Sequence, residues 1–348
     1  MVKLSVHLVA WNGAKYIPYL FKSLRNQTFS DWFLLVIDNN STDGTVEAIK
    51  NELINFSIPY RLIENKENFG FAGGHNQAYK ETDSEYVLLL NQDMYLEPDC
   101  LEKMVEFLNK YPATAAVSPR LMKWDFAKAG EGLEKSFSDH VDALGLKIFR
   151  NRRVIEQYTR EKWEEIKQKF SDKDYLEVFG VSGAFPMYRR STLQDVVFSN
   201  GDFLDSSYHS YKEDVDLAYR LVSRGWKSFV LLDTAAYHDR SGAGPKEFGD
   251  CAALANKKTH SPWVRYHSYK NHIMTLYKNE YWQNFILDFP WILWYESKKF
   301  IYFLLFDRQV LAGLGDVWKL RQELRQKRAQ IKKLRRINYK EIRKYEGY

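Results

Sequence analysis

Ser84-Glu-Tyr-Val-Leu-Leu-Leu-Asn-Gln-Asp-Met-Tyr-Leu-Glu-Pro-Asp99 is the stretch from which the fold follows. Tyr86 to Leu90 is a continuous apolar run of strand length, which suits a strand buried on both faces. The run stops at Asn91-Gln92-Asp93, polar groups at the carboxyl end of a buried strand. In open α/β sheets ligands bind in the crevice beyond such strand ends. A carboxylate placed there can hold a hard divalent cation, and the cation can hold a diphosphate. A lone Asp after a strand serves as readily to cap a turn, so the neighbouring sequence has to decide.

Upstream, strand and helix patterns alternate. Leu4 to Ala10 reads as a buried strand, followed by the loop Trp11-Asn12-Gly13. Tyr16 to Asn26 has helical spacing, with Ile17, Leu20, Phe21 and Leu24 on one face. Phe33 to Ile37 is a second strand that stops at Asp38-Asn-Asn-Ser-Thr-Asp-Gly44, a cluster of turn formers and helix caps. Helical spacing over Thr45 to Asn55 and a strand over Tyr60 to Glu64 complete the alternation that marks a parallel sheet covered on both faces. Parallel strands bring Asp38-Asn39 and Asn91-Gln92-Asp93 to one sheet edge.

Asn68-Phe-Gly-Phe-Ala-Gly-Gly-His75 carries Gly70, Gly73 and Gly74, which is not the G-x-G-x-x-G spacing of a dinucleotide fold. These glycines instead suit backbone amides that approach a ligand before a helix begins, the helix following Gln77 and running through about Thr82. Residues 123–176 are less regular. Glu177 to Tyr188 returns to strand-like sequence, and Gly183 and Ala184 are small enough to lie beneath a substrate or to pack against a helix. From Val215 an amphipathic helix runs to Gly225, with Glu213 and Asp214 at its N-terminal turn. Acids there favour the helix dipole; a carboxylate held by a helix can equally act as a general base. Phe229 to Leu232 and Thr234 to Tyr237 read as strands reaching His238, which precedes the glycine-rich loop Asp239–Gly244.

The 348 residues suffice for a large α/β domain with an appendage, and Cys100 and Cys251 supply neither a disulfide framework nor zinc spacing, as expected in a reducing compartment. Residues 318–348 hold 12 Lys/Arg and 3 Glu, a net of +9 within a total of +6, so the body is slightly acidic and the tail basic. Tyr281 to Phe306 is strongly aromatic, but Asp288, Pro290, Glu296, Lys298 and Lys299 interrupt it, so helices lying in a membrane interface are expected rather than a span. In the tail, Leu320, Leu324, Ile331, Leu334 and Ile337 alternate with basic residues, a pattern that suits an anionic lipid surface. No nucleic-acid motif accompanies it.

Five segments together resemble the inverting GT-A glycosyltransferases of family 2, most nearly the bacterial rhamnosyltransferase-like members, over roughly residues 3–275. They are Val36-Ile-Asp-Asn-Asn-Ser-Thr-Asp-Gly44, Asn68-Phe-Gly-Phe-Ala-Gly-Gly-His-Asn76, Leu89-Leu-Asn-Gln-Asp93, Val181-Ser-Gly-Ala184 and Glu213-Asp-Val-Asp-Leu-Ala-Tyr-Arg220. The resemblance implies a mostly parallel α/β sheet with helices on both faces and a C-terminal helical, aromatic and basic extension. The catalytic domain would span 1–275, with a nucleotide-sugar half (1–120) and an acceptor half (121–275), and the extension 276–348. Ala10, Asn12, Asp38 and Asn39 would line the base pocket, with Gly70, Gly73, Asn91 and Gln92 on the donor side. Asp93 and His238 would bind Mg²⁺ or Mn²⁺ on the donor diphosphate. Asp214 would be the general base, and Gly183, Ala184 and Glu213 would face the acceptor.

Two departures from the family pattern matter. Asp93 is the only carboxylate where many relatives have two or three acids, and Asn39 stands where some uridine-sugar enzymes have Asp, which favours a thymidine-diphosphate donor. The expected donor is therefore dTDP-rhamnose, with UDP-hexose or UDP-galactofuranose as the alternatives. The expected acceptor is a glycan or polyprenyl-diphosphate-linked glycan at the cytoplasmic membrane face. A glycan- or nucleotide-binding relative without turnover and a membrane scaffold are the readings from other classes.

Overall fold

A computed structural model describes residues 2–240 and 261–347; Cys251 and the glycine-rich loop beyond Arg240 lie outside them. The first half is the expected alternation. Strands β1 (Leu4–Ala10), β2 (Trp32–Asp38), β3 (Tyr60–Glu64) and β4 (Tyr86–Asn91) are linked by helices α1 (Ile17–Arg25), α2 (Thr45–Leu53) and α3 (Gly70–Glu81). All four strands run parallel in the order β3-β2-β1-β4. The register pairs Ala10 with Asp38 and Val9 with Asn91, so the polar strand ends share one edge. The strand order reverses at β1, which opens a crevice at that edge.

The apolar run of β4 is divided by the pleat. Leu88 and Leu90 join one core with Leu8, Phe21 and Ile49, whereas Val87 and Leu89 join a second core with Leu217 and Leu221. Both faces of the sheet are therefore buried, which explains why the strand sequence does not alternate.

The second half departs from expectation. After β5 (Met94–Leu96) and helix α4 (Cys100–Lys110), β6 (Thr114–Trp124) enters the middle of the sheet. The irregular region folds as β7 (Phe137–Ala143), β8 (Leu146–Phe149) and β9 (Val154–Glu156). β10 (Tyr175–Val178) and β11 (Met187–Arg189) follow, and β11 pairs antiparallel with both β4 and β6. The two late strands are one, β12 (Lys227–His238), parallel to β6. Its register shifts between Leu231, opposite Pro119, and Ala235, opposite Arg120. Proline has no N–H for the ladder, so the partner bulges where Pro119 sits.

Helix α5 (Glu213–Ser223) leads to Gly225, which takes φ +84° as the expected helix stop. Among the described residues four long helices follow, α6 (Pro262–Asn279), α7 (Trp282–Phe306), α8 (Arg308–Lys319) and α9 (Arg321–Leu334), and then a one-turn helix, Tyr339–Ile342. The division expected at 275/276 falls inside α6, and buried ion pairs join these helices to the sheet half. Lys278 bonds both Asp205 and Asp216, and Lys327 reaches Asp205 at 2.6 Å. The apolar stripe of the basic tail turns inward, with Leu324 and Ile331 buried. The aromatic stretch, expected to be interrupted at Asp288, Pro290, Glu296, Lys298 and Lys299, is one continuous 25-residue helix.

Candidate functional site

A cavity of about 610 Å³ opens at the carboxyl edge of the sheet, lined among others by Asn91, Asp93, Gly183, Ala184, Glu213, Asp214 and His238. Seven of the residues expected from sequence thus converge, carried by β4, by the segment before β11, by the start of α5 and by the end of β12.

Asp93 and His238 meet because β5 and β12 pair with Met94 opposite His238. The imidazole Nε2 lies 3.5 Å from Asp93 Oδ1, and Nδ1 lies 2.9 Å from Asp142 Oδ2. Burial disfavours the charged ring, but the two carboxylates outweigh it and raise the pKa to about 10. Asp142, on β7, was not among the sequence candidates, because nothing local distinguishes it from a surface acid; only the pairing of β7 with β6 delivers it. A carboxylate behind a histidine that faces a second carboxylate is the arrangement that orients metal-ligating histidines. Among the described residues no group of three or more His, Cys, Asp or Glu is placed to hold a metal. Two protein donors suit a magnesium-type ion that takes its remaining ligands from water and phosphate.

The other wall rests on a strained turn. His209, Tyr211 and Lys212 have φ of 63°, 73° and 70°, a region that costs each side chain on the order of 1–3 kcal/mol. Buried Asn271 of α6 holds the turn, donating from Nδ2 to the carbonyls of Tyr208, Ser210 and Tyr211 at 3.0, 2.9 and 2.7 Å. The turn delivers Glu213 and Asp214 to the first turn of α5, two residues before the Val215 start read from periodicity.

Asp214 Oδ2 accepts from the N–H of Gly183 at 3.2 Å and Oδ1 from that of Val215 at 2.7 Å, so the carboxylate is fixed. A Cβ at residue 183 would sit 3.5 Å from that of Asp214, in ordinary contact. Burial pushes the Asp214 pKa up, partly countered by the Lys212 ammonium and the two N–H groups. Glu213 is pushed to about 8 by burial and by the Asp214 charge, and its Oε2 has no partner.

Ala10, Asn12, Asp38, Asn39, Gly70, Gly73 and Gln92 do not line this cavity. Ala10 is buried at the end of β1, where its carbonyl accepts from Asn39 N–H at 2.8 Å. Asp38 accepts from Ser41 N–H and Oγ, Asn12 Oδ1 from Thr42 N–H, and Asn39 donates to Gly70 O at 3.1 Å. Gln92 bonds the backbone of Trp11 through both amide atoms, each at 2.9 Å. Helix α3 already begins at Gly70, whose φ is +71° and whose missing Cβ would meet His209 O at 2.5 Å. Phe69 lies where a Cβ of Gly73 would be, so packing explains both glycines.

A mostly parallel α/β sheet with a buried, fixed carboxylate and an acid–histidine pair at its carboxyl edge matches a GT-A-type scaffold. The family model for glycosyl transferase family 2 matches residues 5–197, and the chain belongs to that family. EpsE of Bacillus subtilis is 28% identical over 123 residues, 35% of this chain and 44% of the relative. N-acetylglucosaminyl-diphospho-decaprenol L-rhamnosyltransferase of Mycobacterium tuberculosis is 22% identical over 282 residues, 75% of this chain and 86% of the relative. A structure of GalNAc-T7 with UDP, GalNAc and Mn²⁺ superposes with a TM-score of 0.57 at 11% identity, covering 80% of this chain and 48% of that one. The chain thus spans under half the length of the first of these relatives.

Proposed function

We propose that this chain is an inverting glycosyltransferase that moves L-rhamnose from dTDP-rhamnose to a hydroxyl of a lipid-linked or cell-surface glycan. The observation that carries the reading is that the fixed carboxylate of Asp214 and the Asp93–His238 pair face one cavity. The mycobacterial rhamnosyltransferase, matched over most of both chains, supports the donor.

An alcohol is a poor nucleophile, so its proton must be accepted as the new bond forms. Asp214 takes that proton; its burial raises its basicity, and its two backbone bonds fix its aim. The acceptor oxygen then bonds the anomeric carbon while the bond from that carbon to the diphosphate oxygen breaks, with inversion and departure of the nucleoside diphosphate. Asp93 and His238 would hold a divalent cation, which when bound neutralises charge on the diphosphate. Asp142 keeps the His238 ring oriented. Glu213, neutral at pH 7, adds no charge beside the base.

The test is a thermal-shift panel of dTDP-rhamnose, UDP-glucose, UDP-galactose, UDP-GlcNAc and GDP-mannose, with and without Mn²⁺, followed by donor turnover. A donor that binds only the folded chain raises its apparent stability. The expected result is a metal-dependent shift with dTDP-rhamnose and release of dTDP. A shift with a uridine sugar instead would replace the donor, and a shift without turnover would leave a nucleotide binder.

A further inference from the structure

We propose that the outward face of α7 lies on an anionic phospholipid surface. The helix has its polarity turned inside out. Its buried residues are Asn284, Asp288, Ile292, Lys299 and Phe303. Asp288 is held by Arg150 at 2.5 Å, Arg343 at 2.9 Å and Arg152 at 3.1 Å, while Glu296 pairs with His272 at 2.7 Å and Lys299 at 3.0 Å. The polar stripe is thus consumed by ion pairs with the protein. Apart from Ile292 and Phe303, the large aliphatic, Trp and Phe side chains point away from it. Of the 21 large apolar residues exposed among the described residues, 13 belong to this helix, Trp294 and Phe306 being 66% and 73% accessible. Contiguous apolar surface of that extent marks an interaction face.

Composition and charge select the occupant. Indoles settle at the boundary between headgroups and acyl chains, and exposed Trp282, Trp291 and Trp294 lie on α7 with Trp318 on the following helix. Cations sit on three of these rings: Arg150 over Trp291 at 3.3 Å, Lys298 over Trp294 at 5.3 Å and Arg321 over Trp318 at 4.9 Å. The only acids of α7, Asp288 and Glu296, are turned inward. Positive charge bordering apolar surface, with no exposed carboxylate on the helix, complements anionic headgroups over acyl chains. A second copy docked by two-fold symmetry would set the same cations against each other. No helix among the described residues is long and apolar enough to cross a membrane, so α7 lies along the surface.

Of the two segments expected at a lipid surface, the aromatic helix alone keeps its apolar face outward, since Leu324 and Ile331 of the tail are buried. The catalytic cavity ends against Tyr295, Lys299 and Phe303 of this same helix. One helix diameter, about 10 Å, therefore separates it from the lipid.

Flotation of the full chain with vesicles of phosphatidylcholine, with and without phosphatidylglycerol, tests the proposal without requiring activity. The unsubstituted chain should float with the anionic vesicles, and less with neutral ones. The triple variant I286S/W294S/L305S, altered only at exposed positions, should bind at least about tenfold more weakly. Acyl-chain-brominated phosphatidylcholine mixed with phosphatidylglycerol should quench the tryptophan fluorescence of the unsubstituted chain, a readout that needs no variant. Failure to float, equal binding by the triple variant, or absence of quenching would each overturn the assignment. A dimer by light scattering that the triple substitution dissociates, with no flotation, would assign the face to a second copy instead.

Discussion

The two clusters at the carboxyl edge of the sheet use polar side chains in opposite ways. At the ends of β1 and β2, Asn12, Asp38, Asn39 and Asn65 bond one another and the local backbone, and Gln92 closes on Trp11. At the cavity, Glu213 Oε2 is orphaned, Asp214 and Glu213 are pushed up by burial, and His238 is held between two carboxylates. Satisfied polar groups build a rigid rim; the perturbed ones have capacity left over for a substrate. The largest test of that contrast is Asp214→Asn. Transfer should fall roughly 10²–10⁴-fold, with the donor-induced thermal shift unchanged. Loss of the shift together with activity would make Asp214 part of the rim.

Asp142→Asn is the next step. It keeps the shape behind His238 but removes the charge that orients the ring. Apparent Mn²⁺ affinity, titrated through the nucleotide-sugar thermal shift, should weaken about 10–100-fold, while nucleotide binding without metal stays as it was. An unchanged Mn²⁺ titration would show that the His238–Asp142 contact is architectural.

The sequence legibility of the two clusters differs in the same way. The rim follows from local pattern: β1 and β3 have the expected ends, and Asp38 sits where its strand stops. The cavity was legible only in its residue types. Asp142, Lys212 and Asn271 matter because of contacts 96 residues apart, a turn with positive φ and three carbonyls bonded across 60–63 residues. None of those leaves a periodic trace. β6 went unread for a related reason: Pro119 and Arg120 break its apolar run, and the bulge that accommodates them lies on another strand. Of the C-terminal helices only the basic tail was misleading, because amphipathicity reports two faces without saying which one the protein covers. The tail's apolar stripe turned inward, whereas α7 turned its apolar face out.

Asn39→Ala sharpens the contrast from the rim side. Both ends of its amide are occupied, by Gly70 O and by Asn65. Removal should lower stability by about 1–3 kcal/mol, measured by urea denaturation, and change donor affinity less than about threefold. A loss of donor affinity larger than the loss of stability would return Asn39 to a direct contact with the nucleotide base.

The smallest effect is expected at Glu213, and its sign is diagnostic. Its pKa is raised from 4.5 to about 8, so between those values the folded chain holds a proton that the unfolded chain has released. Stability contributed by this group therefore falls as pH rises through that window, because the unfolded state binds fewer protons there. Glu213→Gln fixes the neutral form. The variant should match the parent in melting temperature at pH 4 and exceed it progressively towards pH 9, with transfer at pH 7 within about threefold of the parent, since the parent carries the neutral side chain there. Deprotonation of the parent above about 8 also puts a second negative charge beside Asp214, a change the variant cannot make. Parallel melting curves for the two proteins across the whole range would mean that Glu213 titrates as an ordinary carboxylate, and the cavity would then carry two charged acids at neutral pH rather than one base beside a neutral neighbour.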